Sequence, residues 1–199
     1  EKQVNNAFYD ELEDWRILNN HPLVLLRSEN STRNPWIANT IEQQLGVSSA
    51  ILDIGCGAGL LTNFLAQKGH KVSGIDLSKN SLLQAKKNDH THTVYYQQAS
   101  AEKLPFEPQS FDVVCAMDIL EHVQDPKKLL QQASLVLRKD GLFFFHTFNR
   151  NWLSYLLVIK GVEWFVPNTP PHMHLYSYFI KPKELHQACL QVGLSIKEM

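Results

Sequence analysis

Residues 50–59 read AILDIGCGAG, five residues typical of a buried strand followed by glycines at every second position. Glycine tolerates left-handed backbone and lets another group approach without meeting a Cβ atom. Residues 60–67 then have the pattern of a helix, which Gly69 ends. The segment therefore predicts a strand, a glycine-rich turn and a helix in direct succession.

Strand and helix patterns go on alternating after this unit. Further strands are predicted at 71–76, 93–97, 111–117 and 142–148. Helices are predicted from the N-cap Ser78 to about Asn88, and from Asp125-Pro126 to Arg138. Because parallel neighbours need crossover connections, this order indicates an α/β fold with a doubly wound, mainly parallel sheet. Its ligand site is expected beyond the carboxyl ends of the strands.

Composition excludes several classes of protein. The 199 residues are 44% hydrophobic and 20% charged, which is typical of a globular chain. The net charge of −1 gives no electrostatic footprint for nucleic acid. Three cysteines without a C-x-x-C pair favour a reducing, cytoplasmic location. The polar N-terminus lacks the apolar core of a signal peptide, and no run is long enough to span a bilayer.

Two carboxylates flank the glycine-rich turn. The spacing G-x-G-x-G differs from the G-x-G-x-x-G of dinucleotide sites, and Asp53 before it would repel a pyrophosphate but could meet a cationic amino group. Asp76 ends the second strand, 21 residues after Gly55. A carboxylate at that place can accept hydrogen bonds from both hydroxyls of a ribose.

These features resemble the class I S-adenosylmethionine-dependent methyltransferases over roughly residues 46–149. The resemblance implies a Rossmann-like sheet and S-adenosylmethionine as the cofactor. It places the methionine end of the cofactor on Asp53 and the loop residues Gly55, Cys56, Gly57 and Gly59, with Cys56 as a small filler. It places the ribose on Asp76 and the adenine on Leu77, Ala101 and Glu102. The family's seventh, antiparallel strand is expected to be lacking, because a sixth strand at 194–199 uses the last residues.

A polar cluster follows the fourth strand. Asp118, Glu121 and His122 stand at i, i+3 and i+4, so on a helical turn they share one face. Such a face could bind Mg²⁺ or supply a catalytic base, and it could equally have only a structural role. His174, in the proline-rich loop at 170–174, is another candidate base or a solvated loop residue.

The chain resembles in particular the ubiquinone-biosynthesis O-methyltransferases, which methylate polyprenyl catechols. Arg33 and Met117 match residues that this family uses against the cofactor. The resemblance implies a divalent-metal site at Asp118, Glu121 and His122, with Asp118 replacing the usual Glu, and catalytic roles for His122, Glu121 and His174. Two alternatives remain, which are a methyltransferase for another small acceptor and a non-catalytic module with a cofactor fold.

Domain organisation is predicted as an N-terminal helical cap at 1–45 and a methyltransferase domain at 46–199. The domain is expected to carry an inserted lid or acceptor segment at about 150–180. The apolar stretch 152–166 could cover an apolar, phenolic acceptor or touch a membrane surface, or it could pack on the domain. A cytoplasmic protein with peripheral membrane contact is therefore expected.

Overall fold

A computed structural model describes residues 23–161, 164 and 175–198 of the chain. Its five strands are β1 (Ala50–Ile54), β2 (Lys71–Asp76), β3 (Tyr95–Gln98), β4 (Phe111–Met117) and β5 (Leu137–His146). Its long helices are α1 (Leu23–Leu45), α2 (Leu60–Gln67), α3 (Lys79–Asn88), α4 (Pro126–Val136) and α5 (Pro182–Gln191). After β5, a helical turn at Trp152–Ser154 continues as a π-helix over Tyr155–Gly161, and Tyr176–Tyr178 form a turn of 3₁₀-helix.

The five strands form one sheet in the order β3-β2-β1-β4-β5, and every neighbouring pair is parallel. The chain first extends the sheet from β1 through β2 to β3, then crosses back to place β4 on the other side of β1. This reversal is the topological switch point of a doubly wound sheet, where ligands bind beyond the carboxyl ends. The predicted α/β class is confirmed.

Both faces of the sheet are covered, as the apolar strands predict. On one face, Leu52 and Ile54 of β1 lie in a cluster with residues of α4 and α5. On the other face, Ile51 lies in a cluster with residues of α2 and of α1. Because Ile37, Ala38 and Ile41 are fully buried there, α1 is part of the core that supports the sheet. The predicted division into a cap and a catalytic domain at residue 45 stays a prediction.

Two predicted helix starts are confirmed at their caps. The Ser78 hydroxyl accepts a hydrogen bond from Ser81 N at 3.1 Å, so it satisfies a backbone donor in the first turn of α3. Asp125 accepts in the same way from Lys127 N and Lys128 N at the start of α4, where Pro126 occupies the first turn.

The structure corrects the predicted boundary between the last long helix before β5 and β5 itself. Helix α4 ends at Val136, and β5 already begins at Leu137 rather than at 142. The pairing register jumps from Phe111–Leu137 to Val113–Leu142, so the expected turn at 139–141 is an irregularity inside β5. Asp140 has a φ of 62°, and a Cβ on Gly141 would lie 2.7 Å from the Asp112 carbonyl oxygen. These residues therefore bend the strand instead of ending a helix.

The strand expected at 194–199 is also wrong for its described part, because residues 194–198 adopt no regular structure. Leu194 and Ile196 do pack against the core cluster beside α5, which explains their apolar character without strand pairing. Within the described ranges, no helix combines the length and apolar content that crossing a bilayer requires.

Helix α1 should contribute strongly to stability. Replacing Ile41, which is fully buried, by alanine removes apolar contacts and leaves a cavity, so we expect a loss of about 2–5 kcal/mol in unfolding free energy. Leu45→Ala, at a partly exposed position of the same helix, is the matched control and should cost less than about 1 kcal/mol. Urea unfolding followed by circular dichroism measures both, and equal losses would contradict the described packing of α1.

Candidate functional site

The glycine-rich loop closes onto the end of β2. Gly55 N and Cys56 N both donate to the carbonyl oxygen of Ile75, at 2.8 and 3.0 Å. Gly57 N donates to Asp76 Oδ2 at 2.9 Å. The backbone φ is positive at Gly55, Gly57 and Gly59, so each occupies the left-handed region that the alternating glycines predict. The loop is thereby fixed at the carboxyl edge of the sheet.

Asp76 is held by backbone donors on both oxygens. Besides the bond from Gly57, its Oδ1 accepts from Ser78 N at 2.8 Å. Each carboxylate oxygen has two lone pairs, so this clasp orients the group and leaves it able to accept further hydrogen bonds. The next side chain, Leu77, is 60% exposed and offers an apolar surface beside the carboxylate. A carboxylate next to an exposed apolar residue fits the ribose and adenine of S-adenosylmethionine.

Asp53 lies on the face of the sheet that α1 and α2 cover. It is 3% exposed, and Thr62 Oγ1 donates to its Oδ2 at 2.6 Å. Burial raises the pKa of Asp53 to about 7, against the opposing effects of the Thr62 hydrogen bond and the nearby Arg33 charge. The carboxyl group can therefore change its charge near neutral pH when a cation comes close.

Beneath the loop, tight packing explains two glycines. A Cβ on Gly59 would lie 2.6 Å from the Tyr96 hydroxyl, which donates to Asn63 Oδ1 at 2.7 Å. A Cβ on Gly74 would lie 2.8 Å from the Tyr96 ring and 3.0 Å from the Cys56 sulfur. Cys56 is buried among these groups, and burial raises the pKa of its thiol, so it packs as a neutral filler.

Two of the three residues predicted at the adenine, Ala101 and Glu102, lie after β3. Ala101 is buried in the core cluster. The Glu102 carboxylate accepts from Gln124 N and Asp125 N, both at 3.1 Å, and so ties this loop to the residues just before α4. Their contact with a cofactor stays a prediction.

Across the switch point, a charged network joins α1 to the ends of β4 and β5. Arg33 Nη2 lies 2.7 Å from Asp118 Oδ2, and His146 Nδ1 hydrogen-bonds to Asp118 Oδ1. Burial opposes the charge on Asp118, but the bonds from His146 and Arg33 prevail and lower the pKa of this carboxyl below its ordinary value. The same Asp118 bond raises the pKa of His146 against the effect of burial. Met117, the last residue of β4, pairs with His146 in the sheet.

Glu121 is buried close enough to this network for the charges of Asp118 and His146 to act on its pKa. It is 2% exposed, and the Thr147 hydroxyl donates to its Oε2 at 2.9 Å. Burial raises the pKa of Glu121 to about 7. Its second oxygen, Oε1, is buried and has no hydrogen-bond partner among the described residues. A buried carboxyl group of this kind can exchange a proton near neutral pH.

The predicted metal site is not assembled. Residues 118–122 form turns rather than a helix, and Asp118 has a φ of 56°, so the expected shared face does not exist. Asp118 hydrogen-bonds to Arg33 and His146, whereas Glu121 accepts a hydrogen bond from Thr147. In the part of the chain that the structure describes, no three His, Cys, Asp or Glu side chains are grouped to hold an ion. The residues present therefore do not fit Mg²⁺.

Two predicted catalytic residues remain, His122 and His174. His122 lies in the turn after β4, where its backbone N donates to Ile119 O at 2.9 Å. His174 lies outside the described residues. The sequence pattern does not single out two further polar residues, His146 and Thr147, because they lie within the apolar run predicted as a strand at 142–148. Their position at the carboxyl end of β5, next to that of β4, was the signal that could have identified them.

Comparison with known proteins identifies the same fold and chemistry. The family described as "Methyltransferase domain" matches residues 52–145. The chain is 38% identical over 177 residues to a ubiquinone biosynthesis O-methyltransferase of Leptothrix cholodnii, covering 86% of this chain and 74% of the relative. A protein of the same name from Haemophilus ducreyi is 39% identical over 175 residues, covering 83% and 74%.

Among solved structures, an S-adenosylmethionine-dependent methyltransferase from Mesorhizobium loti superposes with a TM-score of 0.64 at 19% identity. The match covers 85% of this chain and 84% of that one, and it supports the fold. The sequence matches go further, because they extend at substantial identity over most of both chains. The chain is an S-adenosylmethionine-dependent methyltransferase and belongs to the family of ubiquinone biosynthesis O-methyltransferases.

Proposed function

We propose that this chain transfers a methyl group from S-adenosylmethionine to a phenolic hydroxyl of a polyprenyl catechol, a precursor of ubiquinone. The observation that carries the proposal is its similarity to relatives named ubiquinone biosynthesis O-methyltransferase, over 74% of their length. The geometry of the carboxyl edge supports it, because a nucleoside-type site and an exposed apolar segment adjoin there.

On the cofactor side, the chain provides binding and orientation. When bound, S-adenosylmethionine supplies a methyl group on a sulfonium, which is a good leaving group for in-line displacement. Asp76 would accept hydrogen bonds from the ribose hydroxyls, and Leu77 would cover the adenine together with the loop at Ala101 and Glu102. Asp53 would meet the amino group of the methionine end, and Arg33 would also contact the cofactor.

On the acceptor side, a base must take up the proton of a hydroxyl group that is barely ionised at neutral pH. A phenol with a pKa of about 10 is ionised to roughly one part in a thousand at pH 7. A base placed beside it can offset at most about 4 kcal/mol of the free energy needed to ionise the phenol. Alignment of the reacting atoms contributes about 7–11 kcal/mol. We place the proton acceptor among Glu121, His122 and His174, and the pKa of about 7 favours Glu121.

The segment after β5 provides the apolar surface for such an acceptor. Its exposed large apolar residues, within the described ranges, include Trp152, Leu153, Tyr155, Leu156, Leu157 and Trp164, and Trp152 is 74% exposed. Grouped apolar exposure of this kind is typical of sites that meet an apolar ligand or a membrane. We propose that this segment covers the polyprenyl chain and contacts the membrane surface where the acceptor is dissolved.

The base of this segment is fastened to the domain. Ile180 N donates to Phe148 O at 3.1 Å, and the rings of Phe148 and Phe179 pack at a tilt of 41° with centroids 5.2 Å apart. Arg150 Nη2 reaches both carboxylate oxygens of Glu184, at 2.5 and 2.7 Å. The two ends of the inserted segment therefore stand together beside the carboxyl edge of β5.

Removing the Asp76 carboxylate tests the cofactor site. Asp76→Ala should weaken S-adenosylmethionine binding by about 2–3 kcal/mol, or roughly 30- to 150-fold, because two charge-assisted hydrogen bonds to the ribose are lost. Asp89→Ala, which removes the carboxylate of the turn before β3, is the matched control and should bind normally. Isothermal titration calorimetry measures both, with circular dichroism to verify folding. Unchanged affinity in folded Asp76→Ala would disprove the assignment.

The acceptor is tested by transfer of a labelled methyl group. A polyprenyl catechol should be methylated with a kcat/KM at least about tenfold above that of the unprenylated catechol, because the prenyl chain buries apolar surface on the inserted segment. Turnover only of a carboxylate or an amine would assign another acceptor class. Cofactor binding without turnover of any acceptor would indicate a non-catalytic module.

The same assay separates the role of the inserted segment. Trp152→Ser and Leu157→Ser should lower both the preference for the prenylated acceptor and sedimentation with phosphatidylcholine vesicles. Leu83→Ser, at a leucine of α3 that is also strongly exposed, is the control and should change neither. If all three variants behave alike, the segment is not the acceptor surface.

Asp53 should make stability depend on pH in the ligand-free protein. The folded carboxyl keeps its proton up to a pKa of about 7, whereas the unfolded one loses it near 3.8. Folding is therefore opposed increasingly as pH rises from about 4 to 7, by at most about 4 kcal/mol. Asp53→Asn should remove this loss, so its stability relative to the parent should grow across that window. Urea unfolding at several pH values measures it, and a pH-independent difference would contradict the raised pKa.

A further inference from the structure

The Arg33–Asp118–His146 network occupies the place where the resemblance implies a metal. Arg33 comes from α1, Asp118 directly follows β4, and His146 is the last residue of β5. The side chains of Arg33 and Asp118 are largely buried, at 15% and 18% exposure. Two basic groups, Arg33 on Oδ2 and His146 on Oδ1, thus converge on one carboxylate.

This arrangement opposes a divalent cation on electrostatic grounds. Arg33 is always charged and lies 2.7 Å from Asp118 Oδ2, so a cation on that carboxylate would stand beside another positive group. The other oxygen, Oδ1, is used by His146 Nδ1. Glu121 is buried, and the Thr147 hydroxyl already donates to its Oε2.

We propose that the Arg33–Asp118–His146 network replaces the divalent cation in this chain, and that Asp118 is a positioning residue for His146 rather than a metal ligand. The Arg33 guanidinium and the His146 ring occupy both oxygens of the carboxylate that would otherwise attract an ion. The proposed role of Asp118 holds whichever acceptor is methylated. Only the kinetic test below rests on the proposed function.

Several contacts fix the His146 ring as a positioned group. Asp118 N donates to His146 O at 3.2 Å, so backbone and side chain of the two residues are joined twice. The ring also meets Phe148 edge-on, with centroids 5.8 Å apart, and Phe148 belongs to the base of the inserted segment. With Nδ1 bound to Asp118, Nε2 is the remaining hydrogen-bonding atom of the ring. His146 therefore connects the end of β5 to the base of the inserted segment through its ring.

Metal binding is tested by titrating the full chain with Mn²⁺, with and without S-adenosylhomocysteine, and measuring unbound Mn²⁺ by electron paramagnetic resonance. We expect no saturable binding that depends on Asp118 with a Kd below about 1 mM. Binding of one Mn²⁺ per chain in that range, abolished by Asp118→Asn, would overturn the proposal. His146→Ala, which frees Asp118 Oδ1, should raise Mn²⁺ affinity.

The positioning role is tested by nuclear magnetic resonance on the same chain. The Nδ1-bound proton of His146 should resonate far downfield, disappear in Asp118→Asn and persist in Glu121→Gln. Persistence of the resonance in Asp118→Asn would show that Asp118 does not hold the ring. In the methyl-transfer assay, Asp118→Asn should change the KM for the acceptor at least about fivefold more than the Kd of S-adenosylmethionine. Equal changes in both constants would count against positioning of the acceptor side by His146.

Discussion

The clasp on Asp76 is the interaction on which the site depends. Its two oxygens are held by backbone N–H groups from opposite directions, Gly57 in the glycine loop and Ser78 at the start of α3. The carboxylate therefore joins the turn after β1 to the turn after β2, two segments that the sheet alone would only bring near each other. A site for a nucleoside needs both turns at once, since one presents backbone and the other presents charge.

Much of this half of the site could be predicted from sequence, because its signals are local. Alternating glycines indicate positive φ, and a cap residue indicates the start of a helix. Asp76 ends a strand whose neighbour in the sheet carries the loop. Four of the five strands have the predicted type and lie within two residues of the predicted bounds, whereas β5 begins five residues and ends two residues earlier than predicted. The difference arose because bulge residues at 139–141 have the same composition as a turn.

The other half of the site depends on contacts between distant residues, and sequence spacing failed there. Asp118, Glu121 and His122 have the spacing of a helical face, yet left-handed backbone at Asp118 sends the carboxylates to different partners. Those partners, Arg33 and His146, are 85 and 28 residues away in sequence from Asp118. Local pattern carries no information on such pairings, so neither the charge network nor the buried Glu121–Thr147 pair could be derived in advance.

The closed base of the inserted segment has an evolutionary consequence. Phe148 and Ile180 are bonded through their backbones, and Arg150 and Glu184 are bonded through their side chains, so the chain returns to nearly the place from which it left. An excursion with such adjacent ends can be lengthened, shortened or exchanged without altering strand register or the nucleoside half of the site. Proteins that share this catalytic domain could thereby acquire new acceptors by replacing the inserted segment alone.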